Sequence, residues 1–140
     1  NFFANPEWRQ AFLDIKGTGQ PVKFNGIDAR ILTEEQGYKL DKIKHEKQIC
    51  MAWDNPKDDL RKKFTKIAKW IRPYKIMVYI LIGYWSDEAE DLYRVKIINE
   101  LGMDPFVMPF SKNNEYQRHF ARWVNHKATF NSTKWEDYTG

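Results

Sequence analysis

The sequence predicts an α/β fold, a partial (β/α) barrel with parallel strands and about four βα units. Three observations predict it. A short apolar strand, a polar or glycine-containing turn and an amphipathic helix recur four times along the chain. The strand centres fall near Phe24, Met51, Tyr79 and Val107, about 28 residues apart, which suits successive βα units. The stretch Ile76–Ile82 is apolar almost throughout, as expected of a strand covered on both faces. Four units are too few to close a barrel, and the chain opens at Asn1-Phe2-Phe3 without a Met. We therefore read residues 1–140 as one incomplete domain, the later part of a larger catalytic one.

Each element has a local reason. Asn5 reads as an N-cap with Pro6 at the first helical position, and Trp8, Phe12 and Ile15 follow at helical spacing until Gly17 and Gly19. The stretch from Pro21 to Leu32 begins strand-like and is interrupted at Asn25-Gly26. Thr33 and Gln36 form a capping box for a helix whose buried stripe includes Leu40 and Ile43. The strand from Gln48 to Trp53 stops at Asp54-Asn55-Pro56, where Asn55 is expected to cap and Pro56 to start a helix with the stripe Leu60, Phe64, Ile67 and Ile71. After Ile76–Ile82 and Gly83, Ser86 is expected to cap an acid-led helix that ends at Gly102, a C′ glycine. Pro105 to Phe110 is the last strand. Tyr116, Phe120 and Trp123 mark a final helix, and Trp135 to Tyr138 folds back as a tail.

With 42% hydrophobic and 16% aromatic residues, the chain can bury a core, which argues against disorder. No apolar run reaches the ~18 residues of a membrane span, and no leader pattern precedes Gln10. One cysteine, Cys50, excludes an internal disulfide. A cytoplasmic location is expected. The charge of +4 is uneven: Lys57 to Lys75 is strongly basic and Asp87 to Asp104 strongly acidic.

In a parallel βα array, residues just after each strand line the active face. Four clusters meet that rule. Asn25, Asp28 and Arg30 lie at the first strand, and Asp54 and Asn55 follow the second. Gly83, Tyr84 and Trp85 follow the third; Met108, Pro109 and Phe110 end the fourth. Carboxylates, amides, a guanidinium and apolar surfaces together suit a polar organic cofactor with a flat base. Each cluster also has a plain structural reading: an ion pair for Asp28 and Arg30, a helix cap for Asp54 and Asn55, a turn for Gly83, core for Met108 and Phe110. His45, His119 and His126 are scattered and match no zinc spacing. No phosphate-binding glycine motif or nucleophile elbow appears.

Val78–Gly83, Glu90–Arg94, Glu100–Gly102, Pro105–Met108 and Phe120–Asn125 resemble, in order and spacing, the C-terminal half of a radical S-adenosylmethionine protein of the phage-associated and bacterial type with unassigned substrate. Asn1–Pro6, Phe24–Arg30, Leu32–Glu35 and Ala52–Asn55 fit the same pattern, so the resemblance covers nearly the whole chain. It implies a partial (β/α)6 barrel. It also implies a 4Fe–4S cluster held by three cysteines of a C-x-x-x-C-x-x-C loop, and a 5′-deoxyadenosyl radical made from S-adenosylmethionine. This chain has no such loop, and Cys50 alone cannot supply three thiolates. The resemblance assigns ribose contacts to Asp54 and Asn55 and a backbone contact with adenine to Val107 and Met108. It assigns a further adenine contact to Ile82 and Gly83, in a pattern matched in part because Tyr79 and Leu81 stand where glycines are expected. Asn25, Asp28, Arg30 and Tyr84 are expected to face substrate, with the cofactor as the alternative for Asp28 and Arg30. The partner implied is the missing N-terminal part of the same domain, and the segment alone is expected to be inactive. An open half-barrel also exposes a sheet edge near Phe24, so poor solubility or self-association is expected of it. The alternative from another class is a non-catalytic module that binds nucleic acid through Arg61, Lys62, Lys66 and Lys69.

Overall fold

Alternating Ile76, Val78, Ile80 and Ile82 set the middle of the molecule. In this computed structural model, which describes residues 2–24 and 26–140, all four are buried in strand β2 (Ile76–Ile82). Strands β1 (Ile49–Ala52) and β3 (Asp104–Pro109) flank it, both parallel to it, in the order β1-β2-β3. The register aligns Met51 with Val78 and Pro105, and Ala52 with Tyr79 and Phe106. The described residues thus form a mixed α/β fold with a small open three-stranded parallel sheet and six α-helices.

The expected strand around Phe24 is not a regular one. The Phe24 carbonyl accepts from the Cys50 N–H at 3.0 Å, and the Ile27 N–H donates to the Cys50 carbonyl at 3.1 Å. A regular parallel ladder spaces those two partners by two residues. Here they are three apart, so one extra residue interrupts the pairing. The chain therefore runs beside β1 and bonds to it without forming a ladder.

Helices α1 (Trp8–Thr18), α2 (Glu34–Lys42), α3 (Arg61–Trp70), α4 (Glu88–Glu100), α5 (Glu115–Asn125) and α6 (Lys127–Ser132) complete the fold. Thr33 and Gln36 form the expected reciprocal capping box of α2. Three expected starts move. Asn5 makes an Asx turn to the Glu7 N–H, so α1 begins at Trp8 with Glu7 as its N-cap and Pro6 outside the helix. Asn55 makes an Asx turn to the Lys57 N–H and α3 begins later, at Arg61. Asp87, not Ser86, caps α4 through a box with Glu90, because the Ser86 hydroxyl turns inward to Asp91. Gly102 takes the left-handed conformation that ends α4, with φ +84°.

The buried face of β2 shares one core with Phe64 and Ile67 of α3, Val95 and Ile98 of α4, and Phe120 and Val124 of α5. The other face is not covered in the same way, contrary to the expectation for Ile76–Ile82. Met77, Tyr79 and Leu81 are half-buried, and Phe106 and Met108 beside them are exposed. The free edge of β3 is closed by side chains. Asn125 Oδ1 accepts from the Val107 N–H at 2.8 Å, Asn125 Nδ2 donates to the Val107 carbonyl at 2.9 Å, and Lys127 Nζ donates to the Pro105 carbonyl at 3.0 Å. The tail folds back as expected, with Trp135 against Phe120 and Trp123 and its Nε1 donating to Glu88. Among the described residues no helix is long and apolar enough to cross a membrane.

Gly83 ends β2 at φ +86°, and a Cβ there would stand 2.0 Å from Gln117 Cδ. Gly83→Ala is expected to cost about 3 kcal/mol or more, from left-handed strain plus the clash. Gln117→Ala in the same chain removes the clash and leaves the strain. The double variant should therefore be more stable than the sum of the singles by about 1 kcal/mol or more in urea unfolding. Plain additivity would refute the contact.

Candidate functional site

The turn after Ile27 sets the first polar pair. Ile27 and Ala29 are buried, while Asp28 between them is half-buried and Arg30 after Ala29 is exposed. Arg30 and Asp28 form a bidentate pair, Nε to Oδ1 at 3.1 Å and Nη2 to Oδ2 at 3.0 Å. That hydrogen bonding from Arg30 holds the Asp28 carboxyl below its usual range. The pair forms one wall of a cleft of about 450 Å³ at the C-terminal ends of the strands. Asp54, Asn55 and Asp58 from the loop after β1 form another wall, and Tyr79 and Trp85 from β2 and the turn beyond it help to close the site.

A buried guanidinium shapes that loop. Arg94 of α4 has no exposed side-chain surface, nor does its partner Asp91. Arg94 Nη1 donates to the Trp53 carbonyl at 2.8 Å and to the Asp54 carbonyl at 3.0 Å, and Nη2 donates to Asp91 Oδ1 at 2.8 Å. Asp91 also accepts from the Ser86 hydroxyl and from Tyr116 Oη, the latter at 2.8 Å. With the Trp53 carbonyl bonded to Arg94, the carboxylate of Asp54 serves β2 instead: Oδ1 accepts from the Leu81 N–H at 3.1 Å. Asp54 Oδ2 takes no hydrogen bond from the described residues, which leaves it for a ligand. The Trp53 ring is buried against Phe64, and its Nε1 donates to the Asp58 carbonyl at 2.7 Å, fixing the far end of the loop. Burial pushes the Asp91 carboxyl up and the Arg94 guanidinium down, while their mutual contact opposes both shifts.

Of the residues expected at the site, the cleft gathers Asp28, Arg30, Asp54 and Asn55. Asn25 lies outside the described residues. Ile82 is fully buried beneath the sheet, and Gly83 is occupied by the turn and by Gln117, whose Oε1 accepts from the Ser111 N–H. The backbone contact expected of Val107 meets a physical obstacle, since Asn125 takes both its N–H and its carbonyl. Met108 is exposed on the open sheet face, and Tyr84 stands beside the cleft, 4.7 Å from Trp85. The sequence reading missed Arg94, Asp91, Tyr116 and Asp58. A signal existed for the first two: they extend the stripe of Val95 and Ile98 at helical spacing, so two charges stand on the apolar side of α4.

Among the described residues no group of histidine, cysteine and carboxylate side chains could hold a metal ion. No family model matches the chain, and no curated protein or solved structure is significantly similar to it.

Tyr116 supplies a pH test of the buried network. Burial first, and then its hydrogen bond to Asp91, hold its hydroxyl well above the tyrosine range. Above about pH 10 the unfolded chain loses a proton that the folded chain keeps, so stability falls as pH rises through that value. Tyr116→Phe is expected to be less stable at neutral pH by about 1–2 kcal/mol. It should also lose less stability than the parent between pH 9 and pH 11. Urea unfolding at those pH values checks both, and equal alkaline losses would contradict the assignment.

Proposed function

We propose that this chain is the cofactor- and substrate-facing C-terminal part of a radical S-adenosylmethionine enzyme, inactive alone. The observation that carries the reading is the convergence of Asp28, Arg30, Asp54 and Asn55 at the C-terminal ends of a sequentially ordered parallel sheet, one face of which is left open. In βα arrays chemistry gathers at that end. The capped β3 edge supports the barrel reading as well. With Val107 and Pro105 served by Asn125 and Lys127, further strands would join at the other side, beyond residues 22–27.

The residues divide in their fit to the implied cofactors. The iron–sulfur cluster does not fit this chain, whose single cysteine, Cys50, is buried. Its cysteine loop belongs to the proposed N-terminal part. The S-adenosylmethionine contacts fit at Asp54, whose free carboxylate oxygen suits a ribose hydroxyl, and at neighbouring Asn55. They fit poorly at Val107. Given one electron from the cluster of the proposed N-terminal part, bound S-adenosylmethionine would supply a carbon radical. The part left to this chain is to orient the nucleoside and to hold substrate at Asp28 and Arg30.

The test is anaerobic reconstitution of the longer gene product, with 5′-deoxyadenosine as readout. The longer protein should release it, and Asp54→Ala should raise the S-adenosylmethionine requirement about tenfold or more, as expected for loss of a charge-assisted contact. The 140-residue chain should release none. An intact cluster without 5′-deoxyadenosine would remove the proposal.

A second reading has its own observation. Arg61, Lys62, Lys66 and Lys69 of α3 are all exposed, and none forms an ion pair among the described residues. That stripe supports nucleic-acid binding. Such binding must weaken steeply with salt, and binding insensitive to ionic strength would discard this reading.

A further inference from the structure

We propose that the strand-end cleft and the aromatic rim beside it bind a basic peptide, with an arginine side chain of the peptide in the cleft. Tyr84, Trp85 and Phe110 form the rim. They are 55%, 51% and 60% exposed, and Tyr84 touches both others at centroid distances of 4.7 and 4.8 Å. Three large rings clustered in water at the strand ends form a ligand-facing patch. Trp85 belongs to both rim and cleft.

The charges select the ligand. Asp28, Asp54 and Asp58 line the cleft against one cation, Arg30, which Asp28 already engages. The charge of Asp58 acts on Arg30, and that of Lys63 on α3, outside the cleft lining, acts on Asp28 without an ion pair. The lining remains acidic, which repels phosphates and sets nucleic acid aside at this site. A carboxylate beside an exposed indole suits a guanidinium, which pairs with one and stacks on the other. Phe106, Met108 and Phe110 alternate along β3 and its continuation, where the Phe110 N–H still donates to the Ile82 carbonyl, so all three lie on the open sheet face and apolar neighbours of the arginine also find surface. That continuity favours a peptide over a free amine. The inference rests on the radical-enzyme reading only for calling the peptide a substrate.

The probe is a short fluorescein-labelled peptide alternating leucine and arginine, added to the whole chain and followed by anisotropy. Saturable binding at low salt is expected, with the citrulline version weaker by about tenfold or more. Trp85→Leu and Asp58→Asn, both at exposed positions, should each weaken binding about 3- to 10-fold, the Asp58 effect shrinking at high salt. Circular dichroism verifies that both variants fold. No binding, equal binding of the citrulline peptide, tighter binding of a glutamate version, or no change in either variant overturns the proposal. Free agmatine competing as well as the peptide would also overturn it, reassigning the cleft to small amines. The readout involves neither cluster nor radical. Release of 5′-deoxyadenosine without peptide binding would thus remove this inference and leave the proposed function standing; the reverse result would do the opposite.

Discussion

The geometry of the strand ends depends on one buried guanidinium. Arg94 bonds to two consecutive carbonyls, Trp53 and Asp54, and so turns the chain out of the sheet just beyond β1. A buried arginine is costly to desolvate, and the arrangement is stable only because its donors and its partner are satisfied together. Asp91 meets that need by accepting from Arg94, Ser86 and Tyr116, which ties α4, the turn after β2 and the start of α5 into one network. The Asp54 carboxylate then stands at the cleft wall, with one oxygen bonded to β2 and the other taking no hydrogen bond from the described residues.

The sheet around this network is asymmetric in two ways. One face carries the core shared by α3, α4 and α5, and the other leaves Phe106 and Met108 in solvent. One edge is closed by Asn125 and Lys127, whereas the other meets an irregular segment bonded to β1 at Phe24 and Ile27. A parallel sheet is ordinarily covered on both faces. This asymmetry is what motivates the proposal that the chain is part of a larger array.

Local signals were legible in the sequence, and long-range substitutions were not. The Thr33–Gln36 box, the strand Ile76–Ile82 and the left-handed Gly102 depend on neighbours within a few residues, and each forms as expected. Asp54 and Asn55 follow β1, and Asp28 and Arg30 meet them because the irregular segment before them bonds to β1 at Phe24 and Ile27. The segment at Phe24 did not form a regular strand because one extra residue breaks its pairing, a break that the Asn25-Gly26 interruption signals in the sequence although the apolar pattern does not. Ser86 was an ordinary cap by composition, yet buried Asp91 drew its hydroxyl inward. Val107 looked available to a ligand because Asn125, which occupies its backbone, lies 18 residues away.

Amide hydrogen exchange at Leu81 in Arg94→Lys tests the central role of the guanidinium most directly. Lysine keeps the charge but presents its donors from one nitrogen, so it does not reproduce the planar fork that serves the two carbonyls from Nη1 and Asp91 from Nη2. If Arg94 sets the path of the chain beyond β1, the loop relaxes, Asp54 leaves the Leu81 N–H, and Leu81 loses at least about tenfold more protection than Ile80 on the same strand. Equal losses at Leu81 and Ile80, or no loss at either, would contradict the account.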